Sequence, residues 1–161
     1  MMKKIFLSFF GLLLAMSIQA QSDVVSVKDA IRIFQGKTLE KAKRILENQG
    51  YTYKGVSTDK YGKDYNWVKN MNLTKDFFPA SFKKGNSSLV LLAENGTTLY
   101  VYLFNRAAFN AYKKQAKTLG YEMGEVIKST PGTTVCTKEG QPTISFIELQ
   151  QPLPYCIQIT E

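Results

Sequence analysis

The chain has 161 residues, 44% of them hydrophobic, and its 21 lysines and arginines against 13 acidic residues give a formal net charge of +8. It contains no histidine, which excludes serine–histidine triads, cysteine–histidine pairs and Cys/His zinc sites. The basic residues are scattered rather than clustered, which disfavours nucleic acid as a partner. No glycine-rich phosphate-binding loop is present, so no cofactor is predicted. Because histidine is absent, no metal site is predicted either.

A secretory signal peptide is predicted at residues 1–20. Lys3 and Lys4 give a basic start, an apolar run covers 5–18, and Ala20 is a small residue suited to cleavage directly after it. The run is shorter than the roughly 20 residues of a transmembrane helix, and no second run follows. We expect an exported mature chain, periplasmic or extracellular, with no transmembrane segment and, once the two lysines are subtracted from +8, a charge of +6.

Three helices are predicted from capping residues and helical spacing of apolar side chains. Ser26 and Thr38 are suited to the N-cap positions of the first two, and Asn105 to that of the third. The second helix is predicted over 39–49, with Gly50 as the left-handed residue after its end. These two early helices indicate a helical hairpin laid on a sheet.

Eight strands are predicted from alternation of side chains along the chain. In the first half, Asn95-Gly96 predicts a two-residue type I′ hairpin turn. The segment 72–86 is predicted to be an irregular loop that tucks aromatic side chains against the fold. The strands begin near Tyr51 and are otherwise expected at 65–69, 89–93, 99–104, 121–128, 133–138, 143–149 and 155–160.

A weak internal repeat suggests that one unit is used twice. Gly50-Tyr51 follows a helix, and Gly120-Tyr121 follows another 70 residues later. The chain is then an α+β protein of two tandem α-β4 units, residues 21–104 and 105–161, forming one domain in which the helices pack on one face of an antiparallel sheet. The alternative is that helix-ending glycines precede the tyrosines by coincidence.

In the order of its elements, 26–160 resembles the secreted β-lactamase-inhibitor proteins, and a single unit is similar to the small outer-membrane assembly lipoproteins. The likeness covers the pattern of elements and carries over no individual residue. No cysteine lies near Ala20 to match the acylated cysteine of the lipoproteins. The resemblance implies a protein that binds other proteins with an open sheet face.

Aromatic residues on the predicted strands are the candidate binding surface. Tyrosine and tryptophan combine a large contact area with a polar tip, as is common at interfaces. The alternatives are that they are ordinary half-buried strand residues, or that function lies in 72–86. The residues proposed to bind are Trp67, Tyr53, Tyr65, Tyr100 and Tyr102.

The sequence favours a non-catalytic interaction protein whose partner is another envelope or secreted protein, or an acidic envelope polymer. Its carboxylates do not cluster, so no catalytic residue is predicted; the alternative is a cell-envelope hydrolase with carboxylates assembled from distant strands. Cys136 and Cys156 lie in a compartment that permits a disulfide. A plain meander would place them about 10 Å apart, too far for a bond. Both alternatives, and the oligomeric state, remain open.

Overall fold

The computed structural model of the protein describes residues 23–82, 86–127 and 132–161. Three helices occur within these ranges, and the predicted N-caps are confirmed: Ser26, Thr38 and Asn105 each accept a hydrogen bond from the backbone N–H three residues on. The second helix ends two residues before the predicted Gln49, which is within the normal fraying of helix ends. The bounds are α1 Val27–Gly36, α2 Leu39–Glu47 and α3 Arg106–Thr118.

The described strands form one eight-stranded sheet and one two-stranded sheet. Every pair of neighbouring strands is antiparallel, and the order in the large sheet is β1-β2-β5-β6-β10-β9-β8-β7. The predicted mixed fold with a large antiparallel sheet is therefore confirmed. The bounds are β1 Thr52–Asp59, β2 Gly62–Lys69, β3 Met71–Leu73, β4 Pro79–Phe82, β5 Ser88–Ala93, β6 Leu99–Leu103, β7 Glu122–Ile127, β8 Thr133–Thr137, β9 Thr143–Glu148 and β10 Tyr155–Thr160.

The segment predicted as an irregular loop contains the small sheet. In it, β3 pairs with β4, with Met71 opposite Phe82 and Leu73 opposite Pro79. The prediction was wrong here because strands of three and four residues are too short to show alternation, and Pro79 is typical of loops. The connection includes Phe77 in the left-handed region, at a φ of 61°.

The turn at Asn95-Gly96 differs from the two-residue type I′ turn that was predicted. Gly96 has a φ of 70°, but Asn95 is not among the residues with positive φ. The backbone N–H of Ala93 donates to the carbonyl of Thr98 at 3.0 Å, which leaves four residues in the loop. Asn95 instead uses its side chain, whose Oδ1 accepts from the N–H of Thr97 at 3.0 Å.

Strand β6 shows that the two faces of the sheet are packed differently. Leu99, Val101 and Leu103 have no exposed surface, whereas the intervening Tyr100 and Tyr102 are half-buried. We call the face that carries the first three residues the inner face and the face that carries the tyrosines the outer face. The main hydrophobic cluster joins inner-face residues to buried residues of all three helices, among them Phe34, Leu46 and Phe109.

A second, smaller cluster lies on the outer face. Val68 of β2, Leu89 of β5 and Phe104 after β6 are buried there with Met71 of β3. Leu73, Leu91, Tyr102 and Leu153 pack against it. The small sheet therefore covers part of the outer face, whereas Asp64, Leu91 and Tyr100, toward the β1–β2 and β5–β6 turns, are only partly buried.

Candidate binding site

The structure does not bring the five proposed aromatic residues together. Trp67 is fully buried in the main cluster, and its ring lies 5.2 Å from that of Tyr53 and 6.4 Å from that of Tyr65, centroid to centroid. Both tyrosines are partly buried against the same cluster. Lys43 of α2 lies over the Tyr53 ring at 5.7 Å. These three aromatics therefore pack in or against the main cluster, and a site on the outer face does not include them.

Tyr100 and Tyr102 lie on the outer face. Their rings are stacked, with centroids 6.1 Å apart and an angle of 20° between the planes. Residues two apart on a strand point to the same face, so the pair forms a continuous aromatic strip along β6. Of the proposed residues, these two are the ones that remain partly accessible on the outer face.

Both tyrosines line a pocket of about 560 Å³, a volume typical of ligand sites. We call it the turn pocket, because the β1–β2 and β5–β6 turns form its rim. Asp64 of β2 pairs with Ala93 of β5, and Leu91 pairs with Tyr100. This register places Asp64, Leu91 and Tyr100 on the same face of three adjacent strands.

The two turns are held together by backbone and side-chain hydrogen bonds. The N–H of Glu94 donates to the carbonyl of Lys63 at 2.8 Å, which links the β5–β6 turn to β2. Asp59 Oδ1 accepts from the N–H groups of Tyr61 and Gly62 at 2.7 and 3.1 Å. The Asp59 side chain thus closes its own turn, as aspartate commonly does.

Asn66 supports the floor of the pocket from within the sheet. Its side chain is buried, and its Nδ2 donates to the carbonyl of Asp64 at 2.8 Å and to Ser57 Oγ at 2.9 Å. A third contact reaches the carbonyl of Gly55 at 3.3 Å, beside the bulge where β1 shifts register against β2. The amide therefore fixes the β2 backbone at Asp64 against the distorted part of β1.

Acidic side chains predominate among the charged residues of the turn pocket, although the chain as a whole has a positive net charge. Asp59, Asp64 and Glu94 line it together with one lysine, Lys63. Burial, and secondly the nearby charge of Asp59, raises the pKa of Asp64. Burial is also the main cause of the raised pKa of Tyr100, so its hydroxyl stays protonated at neutral pH.

Sequence reasoning missed the carboxylates of this pocket. The sequence was interpreted as having no cluster of carboxylates, whereas Asp59, Asp64 and Glu94 line one pocket. A usable signal was present: antiparallel pairing of β2 with β5 brings the start of one strand to the end of the other, which places Asp64 near Glu94. Finding it required knowing that β2 and β5 are neighbours.

The structure does not bring Cys136 and Cys156 together; both are free and buried. They lie on β8 and β10, with β9 between them. Cys136 pairs with Ile144 and Cys156 with Ile147, and residues three apart on β9 point to opposite faces. Burial raises the pKa of Cys156 to about 12 and also raises that of Cys136. Neither thiol is therefore an activated nucleophile in this structure.

Across the described ranges, no group of three or more cysteine, aspartate or glutamate side chains is arranged to hold a metal ion. In those same ranges, none of the helices combines the length and apolar character needed to cross a membrane. Comparison of the chain with protein-family models, with curated proteins and with solved structures gave no match.

Proposed function

We propose that the protein is an exported, non-catalytic binding protein that recognises a partner protein with its outer sheet face. The observation that carries the proposal is the stacked, half-buried pair Tyr100 and Tyr102 on the wall of the turn pocket. Half-buried tyrosines offer contact area at little cost in side-chain freedom, which suits an interface. Burial raises the pKa values of both hydroxyl groups, which are protonated at neutral pH as in any unperturbed tyrosine.

The proposal includes an architecture in which the helices cover the inner face and leave the outer face for binding. The main cluster supports it, since buried residues of α1, α2 and α3 share that cluster with inner-face residues of the strands. The outer face is covered only in part by β3 and by the chain at Leu153. A sheet packed on one side in this way is common among antiparallel folds.

We also infer that the chain is a tandem repeat of one α-β4 unit. Strands β1-β2-β5-β6 and β7-β8-β9-β10 form two runs of consecutive neighbours that meet at the β6–β10 pair. The helix ends match at an offset of 70 residues: Tyr51 N–H donates to Leu46 O and Tyr121 N–H to Ala116 O, each at 3.1 Å. Gly50 and Gly120 precede these tyrosines with φ values of 83° and 86°. Between β8 and β9, residues 138–142 contain no strand that corresponds to β3 or β4, so the described parts of the two halves differ.

Export remains part of the proposal. The predicted signal peptide, residues 1–20, lies outside the described residues. The basic charge of the chain is compatible with acidic partners in the cell envelope, but the turn pocket itself is lined by three carboxylates. An acidic polymer would be repelled at this site, so a protein partner is the better candidate for it.

Substitution of Tyr100 tests the proposal, because that residue is only half-buried. Tagged wild-type protein should retain a partner from envelope extract or culture medium, and Tyr100→Ala should lose it while unfolding as cooperatively as the wild type. Val126→Ala is the control: Val126 is 56% exposed on β7, at the sheet edge opposite β1, and does not line the pocket. If Tyr100→Ala retains the partner as fully as the control, the outer face at β6 is not the binding surface.

A hydrolase is the second candidate, because the turn pocket gathers carboxylates from different strands. Asp64 has a raised pKa, as a general acid requires, and Glu94 comes from the end of another strand. A binding function is favoured over a hydrolase because Asp59, the third carboxylate, already accepts hydrogen bonds from the backbone of its own turn. Release of soluble fragments from purified peptidoglycan or glycans, abolished by Asp64→Asn, would establish the hydrolase instead.

A further inference from the structure

We propose that the turn pocket receives a positively charged side chain, arginine or lysine, presented by the partner protein. The inference rests on the proposed function and adds to it the chemistry that the pocket recognises. Three kinds of observation carry it: the charges that line the pocket, the aromatic wall, and the preformed rim made by two linked turns.

The lining charges favour a cation. Asp59, Asp64 and Glu94 face one lysine, Lys63, so the carboxylates outnumber the ammonium groups by three to one. Of two nearby lysines, Lys37 forms an ion pair with Glu161. Lys60 lies 4.8 Å from the ring of Tyr61, which lines the pocket, so three carboxylates still outnumber two ammonium groups there. In a chain with a net charge of +8, an acidic concavity is a local exception that complements a basic partner segment.

Asp64 is the carboxylate that should interact most favourably with a bound cation. Its pKa is raised by burial, and secondly by Asp59, so its ionised form is poorly solvated where it stands. A guanidinium or ammonium group in the pocket would supply the missing counter-charge. Asp59 keeps its place through the N–H groups of Tyr61 and Gly62, and adds negative charge at the rim.

The aromatic wall adds a second form of cation recognition. A cation over the face of a tyrosine ring is attracted by the negative π surface. Tyr100 and Tyr102 stack along the strand and both line the pocket. The chain uses the same pairing internally, with Lys69 5.7 Å from the Tyr51 ring and Arg106 5.5 Å from the Tyr155 ring.

The rim of the pocket is already formed in the chain without a partner. The Glu94 N–H to Lys63 carbonyl bond joins the turns at 2.8 Å, and Asn66 holds the strand beneath at Asp64. A preformed site needs little ordering when it binds. The pocket also opens onto the outer face, where the backbone of a partner segment can lie beside the bound side chain, and this favours a protein over a free small cation.

The test is a nuclear magnetic resonance titration of the 15N-labelled full mature chain. The probe is the blocked tripeptide acetyl-Ala-Arg-Ala-amide, and its matched control replaces arginine with citrulline, which is uncharged and nearly isosteric. The arginine peptide should bind with a dissociation constant on the order of millimolar and shift the amide resonances of 59–64 and 93–98. The citrulline peptide should bind at least about fivefold more weakly. Equal binding of the two peptides, or no shift with either, overturns the inference.

Variants localise the effect within the protein. Asp64→Asn and Glu94→Gln should each weaken binding of the arginine peptide about fivefold. Glu125→Gln is the control for charge, since Glu125 is exposed on β7 at the opposite edge of the sheet and should leave binding unchanged. Equal weakening by all three substitutions would show a nonspecific response to net charge and would overturn the assignment to this pocket.

A third probe distinguishes a protein partner from a small cation. Propylguanidinium carries the same charge as arginine without a backbone, so it should bind at least about threefold more weakly than the tripeptide. Binding as tight as that of the tripeptide would make the pocket a small-cation site and overturn the protein source. Failure of the cation inference is separable from failure of the proposed function: partner capture that survives Asp64→Asn but not Tyr100→Ala would retain the interface and reject the charge recognition.

Discussion

Strand β6 places neighbouring residues in two very different environments. Leu99, Val101 and Leu103 are fully buried with the helices, whereas Tyr100 and Tyr102 stack on the wall of an acidic pocket. Backbone pairing is the same for all five, since β6 lies between β5 and β10 along its length. The difference therefore lies in what covers each face: residues of the inner face stabilise the fold, whereas the tyrosines of the outer face keep some accessible surface.

The contrast extends to the neighbouring strands. On the inner face, Trp67 of β2 and Val90 of β5 are fully buried and belong to the main cluster. On the outer face of the same two strands, Asp64 and Leu91 are only partly buried and line the turn pocket. Substitutions on the inner face should therefore mainly lower stability, and substitutions on the outer face should mainly weaken binding.

The largest effect is expected for Trp67→Ala. Removing a fully buried indole ring that lies 5.2 Å from Tyr53 should lower the free energy of unfolding by about 3–5 kcal/mol. Tyr100→Ala, on the outer face, should lower it by about 1 kcal/mol. Urea denaturation measures the difference in free energy of unfolding between the two variants. Circular dichroism can follow both variants, and tryptophan fluorescence can follow Tyr100→Ala. Equal losses would show that Tyr100 is as much a core residue as Trp67.

A smaller loss is expected for Tyr51→Phe, which tests a buried polar contact of the main cluster. The Tyr51 hydroxyl accepts from the N–H of Val25 at 3.0 Å and lies 2.5 Å from Ser88 Oγ. Its removal leaves both groups without that partner and should cost about 1–3 kcal/mol. Burial raises the pKa of Tyr51 to about 12, so the wild-type hydroxyl is protonated at neutral pH.

Tyr61→Phe is the control for Tyr51→Phe. Tyr61 is 82% exposed at the pocket rim, so loss of its hydroxyl should leave the denaturation midpoint unchanged. A loss for Tyr51→Phe no larger than that of the control would mean that the buried hydroxyl contributes nothing net to stability.

Asp64→Asn should raise the free energy of unfolding at neutral pH, by less than about 1 kcal/mol because the pocket is open to solvent. Burial, then Asp59, raises the pKa of Asp64 in the folded protein, so folding favours its protonated form. That contribution is complete below the ordinary carboxyl pKa of about 3.9 and is lost as the pH rises through the raised value.

Denaturation of Asp64→Asn and of the wild type at pH 7 and at pH 3.5 checks the sign of this stability difference. The variant should be more stable at the higher pH and equal to the wild type at the lower one. Glu139→Gln, at an exposed turn, makes the same change of charge and should show no such difference. A variant less stable than wild type at pH 7 would mean that ionised Asp64 stabilises the fold and is not held there for binding.

Addition of a reductant is expected to leave the stability of the protein unchanged. A disulfide between Cys136 and Cys156 would close a loop of about 20 residues and contribute about 3 kcal/mol, but both thiols are free and lie on opposite faces with β9 between their strands. The denaturation midpoint should be the same with and without reductant. Alkylation in denaturant without reductant should add two groups by mass, and an unmodified chain would reveal a bond.

Local features of the sequence predicted the elements well. Ser26, Thr38 and Asn105 could be recognised as N-caps because each bonds to a backbone N–H only three residues away. Alternation along β6 was equally readable, because adjacent side chains of a strand must point to opposite faces. The shape of the Asn95-Gly96 turn could not be predicted in this way. Asn95 stabilises the loop with a side-chain hydrogen bond and does not adopt a left-handed backbone conformation.

The candidate site depended on information that no local pattern contains. Alternation shows that Tyr65 and Trp67 share a face, but it does not show which face is packed into the main cluster. Trp67 was therefore placed on the binding surface, whereas it packs in the main cluster. Likewise, Asp64 and Glu94 approach each other only because β2 pairs with β5, across a 30-residue separation that includes the small sheet.

The position of β10 has a consequence for how the molecule is made. This strand, Tyr155–Thr160, comes after the other described strands in sequence yet lies between β6 and β9, and within the described residues it alone joins the two four-stranded runs. Because a chain is synthesised from its N-terminus, the two runs cannot join until β10 has been made. Until then β6 and β9 each have an unpaired edge, whose backbone groups are available to pair with another strand.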